Sequence, residues 1–126
     1  MDIHRYWRAA LAQRAPEMAA FFHEDAVIRW HNTNELFTGP EFIQANCQYP
    51  GQWAGEVERV EELGDLVITA AHVWSADRTV SCHATSFFRL QSGKIIALDE
   101  YWGDDGPPPQ WRLDMGVGAP IPTRQE

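Results

Sequence analysis

The chain has 126 residues, close to the commonest size for one domain, and its 10 Lys and Arg against 18 Asp and Glu give a formal net charge of −8. Because no basic run occurs, nucleic acid and anionic membranes are poor partners. Hydrophobic residues make up 44% of the chain and aromatic residues 12%, which excludes a disordered or fibrous protein. The composition predicts a single globular domain with a substantial core.

The expected location and cofactor content follow from missing motifs. No apolar run approaches the roughly 20 residues that cross a bilayer, and the N-terminus (MDIHRYW) is charged where a signal peptide is apolar. Cys47 and Cys82 form no Cys-x-x-Cys pair, as is typical of thiols in a reducing compartment. Zinc-protease, phosphate-loop and dinucleotide motifs are missing from the sequence. We therefore expect a cytoplasmic protein with no cofactor and no bound metal.

Two helices are predicted first along the chain. Apolar residues recur at helical spacing from Ile3 to Leu11, which indicates one amphipathic helix with a single buried stripe. Pro16 is typical of the first turn of a second helix. Its buried side is expected to consist of Met18, Phe21 and Phe22.

A strand and a third helix follow. Alternating β-branched and aromatic residues predict a strand from Ala26 to Asn32. Thr38 and Glu41 have the spacing of a capping box, in which each side chain hydrogen-bonds the backbone of the other at a helix N-terminus. The third helix therefore begins near Thr38, and it ends at Tyr49-Pro50-Gly51.

From Trp53 onward the apolar period changes from about 3.6 to 2, which predicts strands. Turn sequences divide this region into four consecutive strands of an antiparallel meander. The predicted strands are Trp53–Leu63, Leu66–Ser75, Thr79–Leu90 and Lys94–Trp102. Helices followed by a curved antiparallel sheet indicate the α+β class, with helices covering one sheet face.

The C-terminal segment differs from the body. Residues 107–109 are three prolines, which cannot continue a strand ladder, so the domain is expected to span residues 1–103. Residues 104–126 then form a Pro- and Gly-rich tail that keeps apolar residues such as Trp111. We expect this tail to pack on the body or on a partner subunit.

The register of the last hairpin decides which polar side chains share a sheet face. If Ser92-Gly93 forms a two-residue turn, Leu90 lies opposite Ile95, and the pairing continues down both strands. A one-residue slip would exchange the partners of every side chain. The residues predicted on one face are His83, Thr85, Phe87, Leu98, Glu100 and Trp102.

Adjacent Asp99 and Glu100 require that one carboxylate faces the inside of a sheet covered on both faces. Such a carboxyl either finds a donor or has a raised pKa. Glu100 is the candidate proton-transfer group, and the alternative is a rim carboxylate bonded to an arginine such as Arg29. His83 is a candidate general acid or base beside Glu100. The alternative is a structural role, since a strand histidine is more often a satisfied core or surface residue.

Several short segments together resemble the nuclear-transport-factor-2-like (NTF2-like) superfamily, in its SnoaL-like and ketosteroid-isomerase-like branch. These segments are FHEDAVI at residues 22–28, FTG at 37–39, FI at 42–43, GKI at 93–95 and EYW at 100–102. The resemblance implies a cone-shaped fold in which three N-terminal helices pack on a strongly curved, mainly antiparallel sheet that encloses a pocket. It also implies a homodimer formed through the outer face of the sheet.

The catalytic residues of the known branches transfer only in part. Tyr6 falls on the oxyanion-hole tyrosine of the isomerases, but Trp30 replaces their catalytic aspartate, and their second oxyanion acid falls near Thr85 or Ser86. Glu100 matches one aspartate of the limonene-epoxide hydrolases, whose other triad members fall near Ala71 and Val73. Neither residue set is complete.

We therefore predict a pocket with apolar walls and a few converging polar groups, the usual form of a small-molecule site. The expected polar groups are Tyr6, His83, Thr85 and Glu100. The expected walls are Tyr6, Trp7, Trp30, Phe87, Leu98 and Trp102. A cofactor-independent isomerase, dehydratase, cyclase or hydrolase is one hypothesis, in which Glu100 moves a proton and Tyr6 stabilises an oxyanion. The alternatives are a domain that binds a small apolar or aromatic ligand without turnover and a protein-interaction domain.

Overall fold

The computed structural model describes residues 1–122. It contains four helices, α1 (Ile3–Leu11), α2 (Ala15–Ala19), α3 (Gly39–Cys47) and α4 (Gln110–Asp114). Its six strands are β1 (Phe22–Trp30), β2 (Glu35–Thr38), β3 (Trp53–Leu63), β4 (Leu66–Ser75), β5 (Ser81–Gln91) and β6 (Lys94–Asp104).

The three N-terminal helices are confirmed. Asp2 caps α1 by accepting a hydrogen bond from the Arg5 amide. The predicted capping box is present at α3, where Thr38 and Glu41 bond each other's backbone amides. The second helix is shorter than expected, because Phe22 already belongs to β1 and buries its ring from a strand.

The strands form one sheet in the order β2-β1-β6-β5-β4-β3. Neighbouring strands are antiparallel except β1 and β6, which run parallel. The three N-terminal helices cover the inner face. The core lies between helices and sheet, where α1 buries Tyr6 and Trp7 against strand residues such as Phe88 and Leu98. The α+β class is confirmed, with helices packed on one face of a curved sheet that is not closed. The short strand β2 was not predicted.

The predicted register of the last hairpin was wrong beyond the turn. Leu90 lies opposite Ile95 as expected, but a β-bulge follows, so that Arg89 pairs with Ala97. Ile96 is the extra residue, and such an insertion shifts all later pairs by one position.

The bulge exchanges the partners along β5. Ser86 lies opposite Glu100 in place of Thr85, and Phe87 lies opposite Asp99. The even-numbered residues from Cys82 to Phe88 therefore lie on the inner face, whereas His83, Thr85 and Phe87 lie on the outer face. The inner residues of β5 are Cys82, Ala84, Ser86 and Phe88.

The described part of the C-terminal tail is exposed. Trp111, Leu113 and Met115 all present most of their surface to solvent, and Ile121 is 94% exposed. Tail residues 106–122 are therefore exposed, while Asp105 bonds Ser81 on β5, and packing of the tail on a partner subunit stays a prediction. Within residues 1–122, the helices are all too short or too polar to span a membrane.

Candidate functional site

A cavity of about 560 Å³ opens between α1, α3 and the inner face of the sheet. Its lining is mainly aromatic. The aromatic residues that line it are Tyr6, Trp7, Trp30, Phe42, Tyr49, Trp53 and Trp102. Glu100 is the buried carboxyl among the lining residues, with 3% of its surface exposed. Apolar walls around few polar groups are typical of small-molecule sites, and the volume lies in their usual range.

Two hydrogen bonds hold the Glu100 carboxylate. The Trp30 indole N–H donates to Oε1 at 3.0 Å, and the Ser86 hydroxyl donates to Oε2 at 2.6 Å. Both donors come from the strands that flank β6, because Glu100 lies opposite Trp30 on β1 and opposite Ser86 on β5. Each carboxylate oxygen has a second acceptor position, so the group retains capacity for a further donor.

Burial is the largest influence on the pKa of Glu100 and raises it above the ordinary value of 4.5. Hydrogen bonds from Ser86 and Trp30, and the nearby indole of Trp102, oppose this rise. The Trp102 Nε1–H is itself buried and has no hydrogen-bond partner among residues 1–122. The cavity wall therefore contains one carboxyl with a raised pKa and one unused donor.

Tyr6 reaches the cavity from α1, and its ring is fixed by edge-on contacts with four aromatic rings. These rings are Trp7, Phe21, Phe22 and Phe88. Burial raises the pKa of the Tyr6 hydroxyl well above 10.0, and the Glu100 charge adds to the effect. Tyr6 therefore stays protonated and available as a hydrogen-bond donor.

A polar row crosses the inner face of four strands. Thr69 lies opposite Ser86, Ser86 opposite Glu100, and Glu100 opposite Trp30. The Trp7 indole N–H bonds the Thr69 hydroxyl at 3.2 Å and closes the row at its other end. Thr69 and Ser86 are completely buried. The sequence analysis missed both as site residues.

The structure brings together five of the predicted residues around the cavity, which are Tyr6, Trp7, Trp30, Glu100 and Trp102. Leu98 is fully buried in the core and does not line the cavity. His83, Thr85 and Phe87 lie on the opposite sheet face because of the bulge, so their predicted placement in the pocket was wrong.

Contacts on the outer face show which of the two adjacent carboxylates, Asp99 or Glu100, faces outward. Asp99 is the one that meets an arginine, with Arg29 Nη1 at 3.8 Å. His31 Nε2 lies 2.7 Å from the same Asp99 oxygen, and the His31 ring stacks on Tyr101. Glu100 therefore faces the cavity, and Asp99 belongs to a surface network.

Asn32 holds Trp102 in place at the cavity mouth. Its side chain accepts a hydrogen bond from the Trp102 backbone amide at 2.6 Å and donates to the Trp102 carbonyl. Asn32, Glu35, Asn46 and Asp104 also line the cavity. The sequence analysis did not single them out, because polar residues near turns are common on any surface.

Comparison with known proteins gives one family and a set of similar folds. The SnoaL-like domain family matches residues 3–98. No protein of curated function matches the chain by sequence.

Three solved structures illustrate the fold likeness, all at low sequence identity. A candidate ketosteroid isomerase from Kribbella flavida is 21% identical with a TM-score of 0.79, over 94% of this chain and 87% of that chain. An epoxide hydrolase of M. tuberculosis is 14% identical with a TM-score of 0.67, over 80% and 79%. A candidate SnoaL-like polyketide cyclase from Shewanella putrefaciens is 14% identical with a TM-score of 0.63, over 75% and 73%.

These structures share the helix-covered curved sheet and show the fold alone, since one fold serves many reactions. The family match covers most of the chain, from α1 to Leu98 within β6, and it ends before the cavity residues Glu100 and Trp102. The chain belongs to the SnoaL-like domain family.

Proposed function

We propose that the protein is a cofactor-independent acid–base enzyme that acts on a small apolar or aromatic molecule, as an isomerase, dehydratase, cyclase or hydrolase. The observation that carries this proposal is Glu100, a buried carboxyl with a raised pKa in the wall of an aromatic cavity. Similar folds described as an isomerase candidate, an epoxide hydrolase and a cyclase candidate support the same class of reaction.

The raised pKa gives Glu100 its chemical role. A carboxyl whose pKa moves toward the working pH takes up and releases a proton more readily than one near 4.5. Trp30 and Ser86 fix its orientation through their hydrogen bonds, so the carboxyl meets the substrate without first reorganising. Glu100 would accept a proton from a substrate carbon or water and return it to the product.

Tyr6 and Trp102 supply donors for negative charge that develops on a substrate oxygen. Tyr6 remains protonated because of its burial, and the Trp102 indole N–H is unused by described residues. Donors already in position stabilise an oxyanion more than water does, because no reorganisation accompanies the reaction. His83 has no part in this step, since it lies on the outer face.

The test is turnover of two probes that report different reactions. Cyclohex-3-enone reports double-bond migration through the absorbance of the conjugated enone, and cyclohexene oxide reports hydrolysis through the diol formed. We expect turnover of one probe, reduced about 10²- to 10⁴-fold in Glu100→Gln. Glu62→Gln, an exposed change on β3, is the matched control and should retain full activity. Equal activity of Glu100→Gln and wild type would contradict the proposal.

Binding without turnover is the second candidate. It is favoured by the fact that both oxygens of Glu100 already accept hydrogen bonds, as a purely structural carboxylate also does. For this candidate we expect 2-naphthol to quench the fluorescence of the cavity tryptophans, with an affinity that changes in Glu100→Gln. Neither cyclohex-3-enone nor cyclohexene oxide should be turned over.

A homodimer through the outer sheet face is also proposed, and a cytoplasmic location remains a prediction. Phe87 packs edge-on against Tyr101 on that face, and Tyr101 is 46% exposed. Burial of these rings against a second copy would stabilise the dimer. Light scattering after gel filtration should give twice the mass of 14.4 kDa, and Phe87→Glu should give the monomer.

A further inference from the structure

Two histidines face each other on the outer side of the sheet, away from the cavity. His72 on β4 lies directly opposite His83 on β5. Their rings stack with centroids 4.6 Å apart and planes 9° apart. Both side chains are accessible, with 27% and 49% of their surface exposed. In the single chain, both imidazoles are therefore accessible to a ligand.

A β-bulge brings a carboxylate to the same place. The pairing of β3 with β4 shifts between Val57 and Arg59, so Glu58 is the extra residue. Bulges commonly redirect a side chain, and Glu58 Oε1 lies 3.3 Å from His83 Nε2. One ligand atom from each of Glu58, His72 and His83 lies within 4.8 Å of the others.

Asp105 orients one of the two histidines. Its Oδ1 lies 2.5 Å from His83 Nδ1, and its Oδ2 accepts a hydrogen bond from Ser81 at 2.6 Å. When Nδ1 of a neutral imidazole donates to a carboxylate, Nε2 carries the free lone pair. His83 Nε2 then faces Glu58. A carboxylate that holds the far nitrogen of a metal-binding histidine is a recurrent arrangement in metal sites.

We propose that Glu58, His72 and His83 bind a divalent transition-metal ion, Zn²⁺, with Asp105 as a positioning residue. Ligands that lie about 2.0–2.1 Å from Zn²⁺ are about 3.4 Å apart in a tetrahedral site. The separation of Glu58 Oε1 and His83 Nε2 already matches this value. The other ligand atoms lie within 4.8 Å of one another, and His72, whose Nε2 bonds Ser81 Oγ at 2.8 Å, would turn toward the metal ion. A fourth position is left for water or a small ligand.

Charge and ligand type favour this ion over the harder divalent cations. Two imidazoles with a carboxylate suit Zn²⁺, whereas Mg²⁺ and Ca²⁺ prefer oxygen ligands. Glu56, opposite His72 on β3, adds negative charge at the same face. The proposal is independent of the cavity chemistry.

Calorimetric titration of metal-stripped protein with ZnCl₂ tests the site. We expect saturable binding of one Zn²⁺ per chain, no binding of Mg²⁺, and an affinity at least about tenfold weaker in His72→Gln, His83→Gln and Glu58→Gln. His31→Gln is the matched control, because His31 and Asp99 form a histidine–carboxylate pair at 2.7 Å on the same face. This control should retain the affinity of wild type.

Nitrogen NMR of the histidine rings provides a readout that does not depend on variants. Zn²⁺ should shift the ring signals of His72 and His83 and leave those of His31 unchanged. Asp105→Asn should lower the affinity and alter the His83 tautomer equilibrium before any metal is added, which a merely structural role of Asp105 would not do. The proposal is overturned if Zn²⁺ does not saturate, if His31→Gln weakens binding as much as His83→Gln, or if Zn²⁺ shifts only other histidines.

Discussion

Replacing Ser86 with alanine tests the hydrogen bond that most directly affects Glu100. The Ser86 hydroxyl lies 2.6 Å from Oε2 and lowers the pKa of the carboxyl against the effect of burial. A hydrogen bond to a charged group contributes about 1.5–3 kcal/mol, and one pKa unit corresponds to 1.36 kcal/mol. Ser86→Ala should therefore raise the pKa of Glu100 further, because the ionised carboxylate loses this stabilisation.

The measurement is a pH titration followed by NMR of protein labelled with ¹³C at the glutamate carboxyl carbons. The Glu100 signal is the one absent from Glu100→Gln. Thr85→Ala is the matched control, since Thr85 is the adjacent β5 residue and lies on the outer face. It should leave the pKa of Glu100 unchanged. A larger shift in Thr85→Ala than in Ser86→Ala would show that the bulge at Ile96 is misplaced and would refute the reasoning.

Three further predictions concern stability. Because burial raises the pKa of Glu100 in the folded protein, its contribution to the free energy of unfolding is fully present below the ordinary pKa of 4.5 and is lost as the pH rises through the folded-state pKa. In urea unfolding, wild type should therefore lose stability relative to Glu100→Gln over that pH range. Phe88→Ala empties a fully buried position and should cost about 3–5 kcal/mol, whereas Phe87→Ala on the outer face should cost less in the same assay. Thr38→Ala removes the cap of α3 and should cost about 1 kcal/mol, whereas an unchanged urea midpoint would contradict the capping role.

The helices were predictable because their signals are local. The capping box at Thr38 lies within the first turn of α3, and the apolar stripe from Ile3 to Leu11 lies within α1. Both are present in the structure. The short strand β2 gave no such signal, because its four residues are mostly exposed and become a strand by pairing with β1. Its formation depends on tertiary pairing more than on intrinsic preference.

The register of β5 and β6 was only half predictable. The turn sequence correctly placed Leu90 opposite Ile95, but the bulge one residue later moved every following side chain to another partner. The adjacent apolar pair Ile95-Ile96 breaks the alternation expected of a strand and was the available signal for a bulge. Assigning Glu100 to the inner face was correct, while assigning His83, Thr85 and Phe87 to the same face was wrong.

The polar row and the histidine cluster could not be predicted from spacing. Thr69 and Ser86 meet only through the pairing of β4 with β5, and Trp7 reaches Thr69 from α1. His72 and His83 face each other through the same pairing. Contacts of this kind are set by the whole sheet and have no local pattern.

The most direct test of the central claim is a crystal structure of the protein grown with 2-naphthol. The claim is that the aromatic cavity presents the Glu100 carboxyl to a small molecule. The account predicts the naphthol ring between Trp30 and Trp102, with its hydroxyl within hydrogen-bond distance of Glu100 or Tyr6. A cavity filled by protein side chains, naphthol bound elsewhere, or a Glu100 side chain turned to solvent would contradict it.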